Sequence, residues 1–337
     1  ENLAPSELFG IIESLNAEFT AEYLADKRNP RWVARPAVAY LAARTVPCKG
    51  CRALVPLLKT LWLCKKGRKR ILLDMRPTDD NAGVCFGIRE NVPAQGGNAA
   101  QKREHDKRIS AGTMSRAGAK CPCCGAIMTM EDSRLEAQSG RLGAVMTAVV
   151  VDGPDGKEYR EPTLLEREMS AKCSGDLDRV FSGVPFGRPS EPTPKGGGRG
   201  AARAFSLQGY GLMQWEHLFT SRQLLSLGAL CHHGRVAWQS MRDNGYPSEW
   251  SEAILSYLGT SLDRQADYTT TICLWTSGEF LCHTFARFAL PVPWDYAECN
   301  PIGNSTGGFS GAVDWIGRVV DHLLGSVSRV PSPHVLR

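Results

Sequence analysis

Two short cysteine stretches, Cys48-Lys49-Gly50-Cys51 and Cys121-Pro122-Cys123-Cys124-Gly125, restrict what this chain can fold into more than any other feature. Each has the Cys-x-x-Cys spacing, which lets two thiolates from one tight turn bind the same metal ion. Two such turns complete a tetrahedral site for zinc. In the second stretch Pro122 stiffens the turn, and Gly125 can take the positive φ that aims backbone N–H groups at sulfur. Cys48, Cys51, Cys121 and Cys124 are therefore the expected ligands of one structural zinc ion, with Cys123 a spare thiol. The separation of the two stretches exceeds that of a minimal ribbon, so an insertion is expected between them.

The other cysteines argue for the same chemistry. The chain has 12, and outside the two stretches they scatter singly through apolar sequence, as at Cys64, Cys85, Cys231, Cys273 and Cys282. That is the pattern of one metal site plus buried thiols in a reducing compartment, not of a disulfide framework. A length of 337 residues suits two or three domains, and no apolar run is long enough to span a membrane. No signal peptide is evident, which points to the cytoplasm. The chain opens on Glu1 and ends in Val330-Pro331-Ser332-Pro333, which reads as an excerpt or a processed product.

Charge is concentrated. The net charge is +5, but from Arg44 to Lys120 there are 17 basic residues against 6 acidic ones. Lys65, Lys66, Arg68, Lys69 and Arg70 surround Gly67. This is either a solvated turn between two strands or a hairpin tip that contacts nucleic-acid phosphates and releases their counterions.

Local patterns place most elements. Residues 6–26 have Leu8, Ile11, Ile12, Leu15 and Phe19 at helical spacing, and Asn29-Pro30 ends the helix. Residues 33–46 form an apolar lead-in to Cys48. Leu54–Cys64 is strand or helix, and Ile71–Met75 is a strand. Residues 89–112 are polar, without periodicity, and read as a mobile loop. Val145–Val151, the Asp152–Gly156 turn and Glu158–Arg160 predict a hairpin. Thr163 with Glu166, and Thr220 with Gln223, are capping boxes that open helices. Pro247-Ser248 begins another helix, and a last one runs from about Val313 to Leu324. The Pro- and Gly-rich stretch 185–204 lacks P-loop spacing and reads as a linker. The predicted organisation is a helical lead-in (1–43), a zinc-ribbon β-rich domain (44–184), the linker (185–204), a helical domain (205–327) and a C-terminal loop (328–337).

Other constellations carry less. His232 and His233 are adjacent on a helix and diverge by about 100°, so they do not share an ion. Cys273, Cys282 and His283 match no common metal spacing. There is no Ser-His-Asp order, no His-Glu-x-x-His and no dinucleotide fingerprint. Arg222 and Gln223 open a helix, where they are able to read phosphates or bases, against the plainer roles of capping and packing.

Several phrases together resemble the zinc-ribbon-containing adenine-specific DNA methylases of bacteria and archaea, some of them associated with phage defence. They are Arg44-Thr45-Val46-Pro47-Cys48 with Cys51 and Pro56–Leu58, Lys120–Gly125, Tyr210–Trp215, Leu218–Leu225, Ala266–Tyr268, His283–Phe285, and Ala289–Pro291 through Trp294–Glu298. The resemblance extends from about Arg35 to Val327. It implies methyl transfer from S-adenosylmethionine to the exocyclic amine of adenine in DNA, on a Rossmann-like fold with a large insertion. In that family a Phe-x-Gly turn binds the cofactor and an Asp/Asn-Pro-Pro-Tyr loop holds the flipped base. Neither is here: Asn300-Pro301-Ile302 lacks the second proline and the aromatic, and no acidic-ended strand leads to Phe309-Ser310-Gly311.

The expectation is an α+β chain, a zinc-ribbon domain followed by a mainly helical one, forming the insertion region of such an enzyme. It would contact DNA through Lys65, Lys66, Arg68, Lys69, Arg70, Arg222 and Gln223, and bridge flanking methyltransferase halves that bind S-adenosylmethionine. It would not transfer methyl groups alone. The alternatives are a free-standing zinc-ribbon nucleic-acid-binding module and a thiol sensor acting through Cys123.

Overall fold

The fold is built on one strand that water does not reach. In the computed structural model, which describes residues 37–196, 204–303 and 305–326, the run Ala37–Pro47 forms β1, and ten of its eleven residues are buried. A continuous apolar run without alternation requires cover on both faces. The helix expected over 6–26 lies outside the described residues, as does the loop 328–337.

The chain turns through the first cysteine stretch into β2 (Leu54–Pro56), then β3 (Trp62–Lys66), β4 (Lys69–Pro77) and β5 (Val84–Arg89). Helix α1 (Ala99–Ile109) follows, and three short strands, β6 (Met114–Ser115), β7 (Gly118–Lys120) and β8 (Ile127–Met128), carry the second cysteine stretch. Next come α2 (Met130–Glu136), the hairpin β9 (Gly143–Gly153) and β10 (Gly156–Arg160), α3 (Leu164–Lys172) and α4 (Leu177–Phe181). The later residues form α5 (Ser221–Asp243), α6 (Ser248–Asp267), the small pair β11 (Leu274–Trp275) and β12 (Leu281–Cys282), β13 (Asp295–Cys299) and α7 (Phe309–Leu324).

The main sheet is antiparallel, in the order β10-β9-β1-β13, with β2 also on β1. Strands β13 and β2 occupy successive lengths of the same edge of β1, pairing with Ala39–Ala43 and Thr45–Pro47 respectively. β3, β4 and β5 form a second sheet, and β6, β7 and β8 a third. The mixed α and β content expected from the sequence is present. Residues on either side of the stretch 185–204 share one sheet and one apolar cluster. β13 completes the sheet that β1 starts, and one apolar cluster joins Val46, Val55 and Met128 to Leu207, Leu218 and Trp294. Fully buried leucines such as Leu57, Leu207 and Leu218 each contribute about 2 kcal/mol by leaving water.

One correction concerns residues 89–112. In place of a mobile loop, the structure has α1, opened by a capping box between Asn98 and Gln101. An apolar face is not what holds it. Asp106 is the buried residue of α1, and it binds the guanidinium of Arg70 on β4.

The helices pack as a layered group, α4 on α5, α5 on α6 and α6 on α7. Gly228 permits the α4–α5 approach, since a Cβ there would lie 2.8 Å from Val180 and 2.9 Å from Phe181. Beyond Gly228 the layer opens. Val236, Trp250, Tyr257, Trp315, Val319 and Leu323 are exposed, and a cleft of about 500 Å³ between α5 and α6 is lined by Leu230, Leu255, Leu258 and Leu262. No described helix is long and apolar enough to cross a membrane.

Candidate metal centre

The two cysteine stretches fold into two copies of the same turn. In the first, Arg52 N–H donates to Cys48 O (2.9 Å) and Cys48 N–H to Ala53 O (2.8 Å). In the second, Gly125 N–H donates to Cys121 O (3.0 Å) and Cys121 N–H to Ala126 O (2.8 Å). Each turn links an antiparallel strand pair, β1 with β2 and β7 with β8. Each also has a left-handed residue just after its second cysteine, Arg52 at φ +64° and Gly125 at φ +75°.

The turns face one another. A Cβ on Gly50 would sit 3.4 Å from Ala126 and 3.5 Å from the Cys124 sulfur. The sulfurs of Cys48, Cys51, Cys121 and Cys124 all lie within 4.8 Å of one another. Cys48 Sγ is 3.6 Å from Cys124 Sγ, and Cys51 Sγ is 3.7 Å from Cys121 Sγ. These distances are far too long for disulfides. A tetrahedron with metal–sulfur bonds of about 2.3 Å has edges of about 3.8 Å, so the four thiols fit a tetrahedral ion such as zinc. Cys123 stands aside, its thiol donating to Gly83 O.

The thiols influence each other's ionisation. Burial opposes charge on Cys48, but the N–H groups of Cys51 and Gly50 and the thiols of Cys124 and Cys121 outweigh it and bring Cys48 down to about 7. The Ala53 N–H favours a thiolate at Cys51, yet burial and the three neighbouring sulfurs push that thiol up to about 12. Burial also raises Cys121. Without a metal, then, the cluster readily loses one proton and resists losing the next, the behaviour of like charges crowded together. Lys49 and Arg52 project from the first turn and pair with Asp132 (2.7 Å) and Glu136 (3.1 Å), which ties that turn to α2.

The expected DNA-contacting residues separate into two groups. The 65–70 stretch is a hairpin tip, with Gly67 at φ +59° between β3 and β4. Three of its five cations are engaged within the protein. Lys65 and Arg70 both bind Asp106, at 2.6 and 2.5 Å, and Lys69 binds Glu279 at 2.5 Å. Hydrogen bonds from Arg70 and Lys65 hold the Asp106 carboxyl down at about 2. Lys66 and Arg68 are exposed and make no ion pair among the described residues. Arg222 and Gln223 have partners within the protein. Arg222 donates to Glu298 (3.0 Å) and stacks on Tyr40. Gln223 is 2% exposed and caps α5 by accepting from Thr220 N–H.

Two features escaped the sequence. Arg44, read only as part of a motif, is a buried cation facing a pocket. Asp267, on α6, holds the His283 ring at 2.7 Å and the Phe285 N–H at 2.9 Å, fixing the chain after β12. No family model matches the chain, and no curated protein or solved structure matches it.

Proposed function

We propose that this chain is the zinc-clasped, DNA-contacting central region of an S-adenosylmethionine-dependent, adenine-specific DNA methyltransferase. The observation that supports the reading is how the resembling phrases meet, directly or through the intervening Thr271. Arg44 binds Thr271 and Pro293, Thr271 N–H donates to Leu218 O, Tyr210 packs edge-on against Trp294, and Arg222 pairs with Glu298. Residues far apart in sequence thus converge on β1 and β13, and β1 runs directly into the first cysteine turn. Such convergence places these segments in one core, as the reading requires.

In this reading zinc is held by Cys48, Cys51, Cys121 and Cys124. Four thiolates close its coordination sphere, so the ion clasps two hairpins and performs no reaction. Lys66 and Arg68 meet DNA phosphates. The exposed apolar residues of α7, Trp315, Val319 and Leu323, supply a surface for the flanking halves, which contribute S-adenosylmethionine and the Pro-Pro-Tyr loop.

The reading is tested by comparing this chain with the full reading frame that encodes it, using labelled S-adenosylmethionine and adenine-containing DNA. Transfer is expected from the longer product alone. Turnover by residues 1–337 alone would overturn the assignment, as would a full reading frame with no Pro-Pro-Tyr loop. That second outcome, with DNA binding retained, would favour a free-standing nucleic-acid-binding module.

A further inference from the structure

Arg44 is a buried arginine that meets no carboxylate among the described residues; its guanidinium lies over the Tyr296 ring, 5.5 Å from the centroid. Arg44 is 5% exposed. Its Nε donates to Pro293 O (3.0 Å), and its Nη2 to Thr271 O (3.3 Å) and Thr271 Oγ1 (2.9 Å). All three acceptors are neutral. The other arginines drawn inward behave differently, Arg70 meeting Asp106 and Arg222 meeting Glu298. Burial pulls the Arg44 guanidinium below its usual range, and the one ionisable neighbour that acts against this is Tyr296. A buried charge without a counter-charge is costly.

The unanswered side of Arg44 opens on a pocket. Nη1 has no hydrogen-bond partner among the described residues and is not sealed from solvent. The pocket, of about 360 Å³, is lined by Arg44 and by the small residues Gly140, Gly143, Ala144 and Gly211 among others. Its other polar lining residues include Tyr296, His217, Thr220 and Thr271, the last already engaged by Arg44 and Leu218 O. The Tyr296 hydroxyl has no partner among the described residues. His217 Nδ1 accepts from Met213 N–H (3.1 Å) and, more weakly, Gln214 N–H (3.4 Å), so the neutral ring carries its proton on Nε2. Thr220 lines the pocket as well, its hydroxyl accepting from Gln223 N–H (3.2 Å). No Asp or Glu lines the pocket.

One buried cation, several neutral donors and no carboxylate describe a receptor for an oxyanion. We propose that this pocket binds a phosphate group, with Arg44 as its charge partner. Its size exceeds what a lone carboxylate would fill. Tyr210 also lines a second pocket, of about 560 Å³, together with Arg134 and Lys195. The phosphate belongs either to a free mononucleotide or phosphate ion, or to a nucleic-acid backbone. The proposal does not depend on the methyltransferase reading.

The test uses the full chain loaded with zinc, titrated calorimetrically with inorganic phosphate, adenosine monophosphate, a short single-stranded oligonucleotide and, as a control, acetate. Arg44 itself braces two backbone carbonyls, so its replacement risks the fold. Ala144 is exposed and is the register partner of Arg44 across β1 and β9. Ala144→Glu brings a carboxylate to the guanidinium from a tolerant position. It is expected to weaken phosphate binding at least tenfold with zinc content and melting temperature retained, and His217→Ala to weaken it severalfold. Binding tightest for the oligonucleotide assigns the pocket to a backbone phosphate, and binding tightest for the small ligands assigns it to a free one. If no phosphate-bearing probe binds, or if acetate binds as well, the proposal fails. It fails equally if both variants, correctly folded, bind like the parent.

Discussion

Arg52 and Gly125 occupy equivalent positions in two copies of one turn, each left-handed and each one residue past a metal-site cysteine. The backbone demands the same conformation of both, but only glycine adopts it without penalty. For an L-residue the left-handed region costs about 1–2 kcal/mol. Arg52→Gly should therefore stabilise the zinc-bound protein by about 0.5 kcal/mol. The gain is reduced by loss of the pair with Glu136, whose arginine is 57% exposed and adds little. A Cβ at Gly125 would touch nothing, so Gly125→Ala should cost about 1 kcal/mol from conformation alone. Urea midpoints of the metal-loaded proteins measure both, and a marked loss in Arg52→Gly would break the equivalence.

Metal binding should release protons. In the free site Cys51 is pushed up to about 12 and Cys121 is raised, while Cys48 lies at about 7. At neutral pH the first two are protonated, and a four-thiolate site must expel both protons along with part of the Cys48 proton. Zinc affinity should then rise at least about a hundredfold per pH unit near pH 7 and fall on acidification. Competition with a chromophoric chelator at several pH values gives the slope. A slope of one or less would mean that fewer than four thiolates bind, and Cys48→Ser or Cys124→Ser should each abolish stoichiometric zinc.

Asp106 should make the protein acid-sensitive. Its carboxyl is held at about 2 by Arg70 and Lys65. A carboxyl depressed on folding contributes stability that is complete above about pH 4 and disappears as pH falls through the folded value. The contribution amounts to about 2 kcal/mol at most, since Lys65 is partly exposed. Asp106→Asn should flatten the stability profile between pH 4 and 2 and, by leaving Arg70 buried without its carboxylate, cost about 3 kcal/mol at pH 7. An unchanged acid profile in the variant would refute this role.

What was legible in the sequence is what a few neighbouring residues decide. The capping boxes Thr163–Glu166 and Thr220–Gln223 open helices where expected, and the Asp152–Gly156 turn makes its hairpin. The four cysteines belong to this group because each turn is local and the spacing names the ligands. What was not legible depends on partners far away. Helix α1 has almost no apolar face, and its anchor, Asp106, is explained by Arg70, 36 residues earlier, and by Lys65, earlier still. β13 joins the sheet across some 250 residues, so neither its pairing with β1 nor the common core of the two halves follows from any local pattern. Arg222 read as a ligand-facing cation because its partner, Glu298, is 76 positions away.

The hairpin tip yields the sharpest test of nucleic-acid binding, because the structure sorts its cations. Lys65, Lys69 and Arg70 serve Asp106 and Glu279, whereas Lys66 and Arg68 are exposed and unpaired among the described residues. Each cation removed from a duplex phosphate lowers the slope of log affinity against log salt by about 0.9. Lys66→Ala with Arg68→Ala should thus reduce that slope by about 2, lower affinity for all duplex sequences alike, and leave the melting temperature nearly unchanged. Lys69→Ala should have the opposite signature, with little change in slope but lower stability, because Glu279 is left without its cation. If removing Lys66 and Arg68 leaves both affinity and slope intact, the tip is a solvated turn, and any DNA-binding surface must lie elsewhere on the protein.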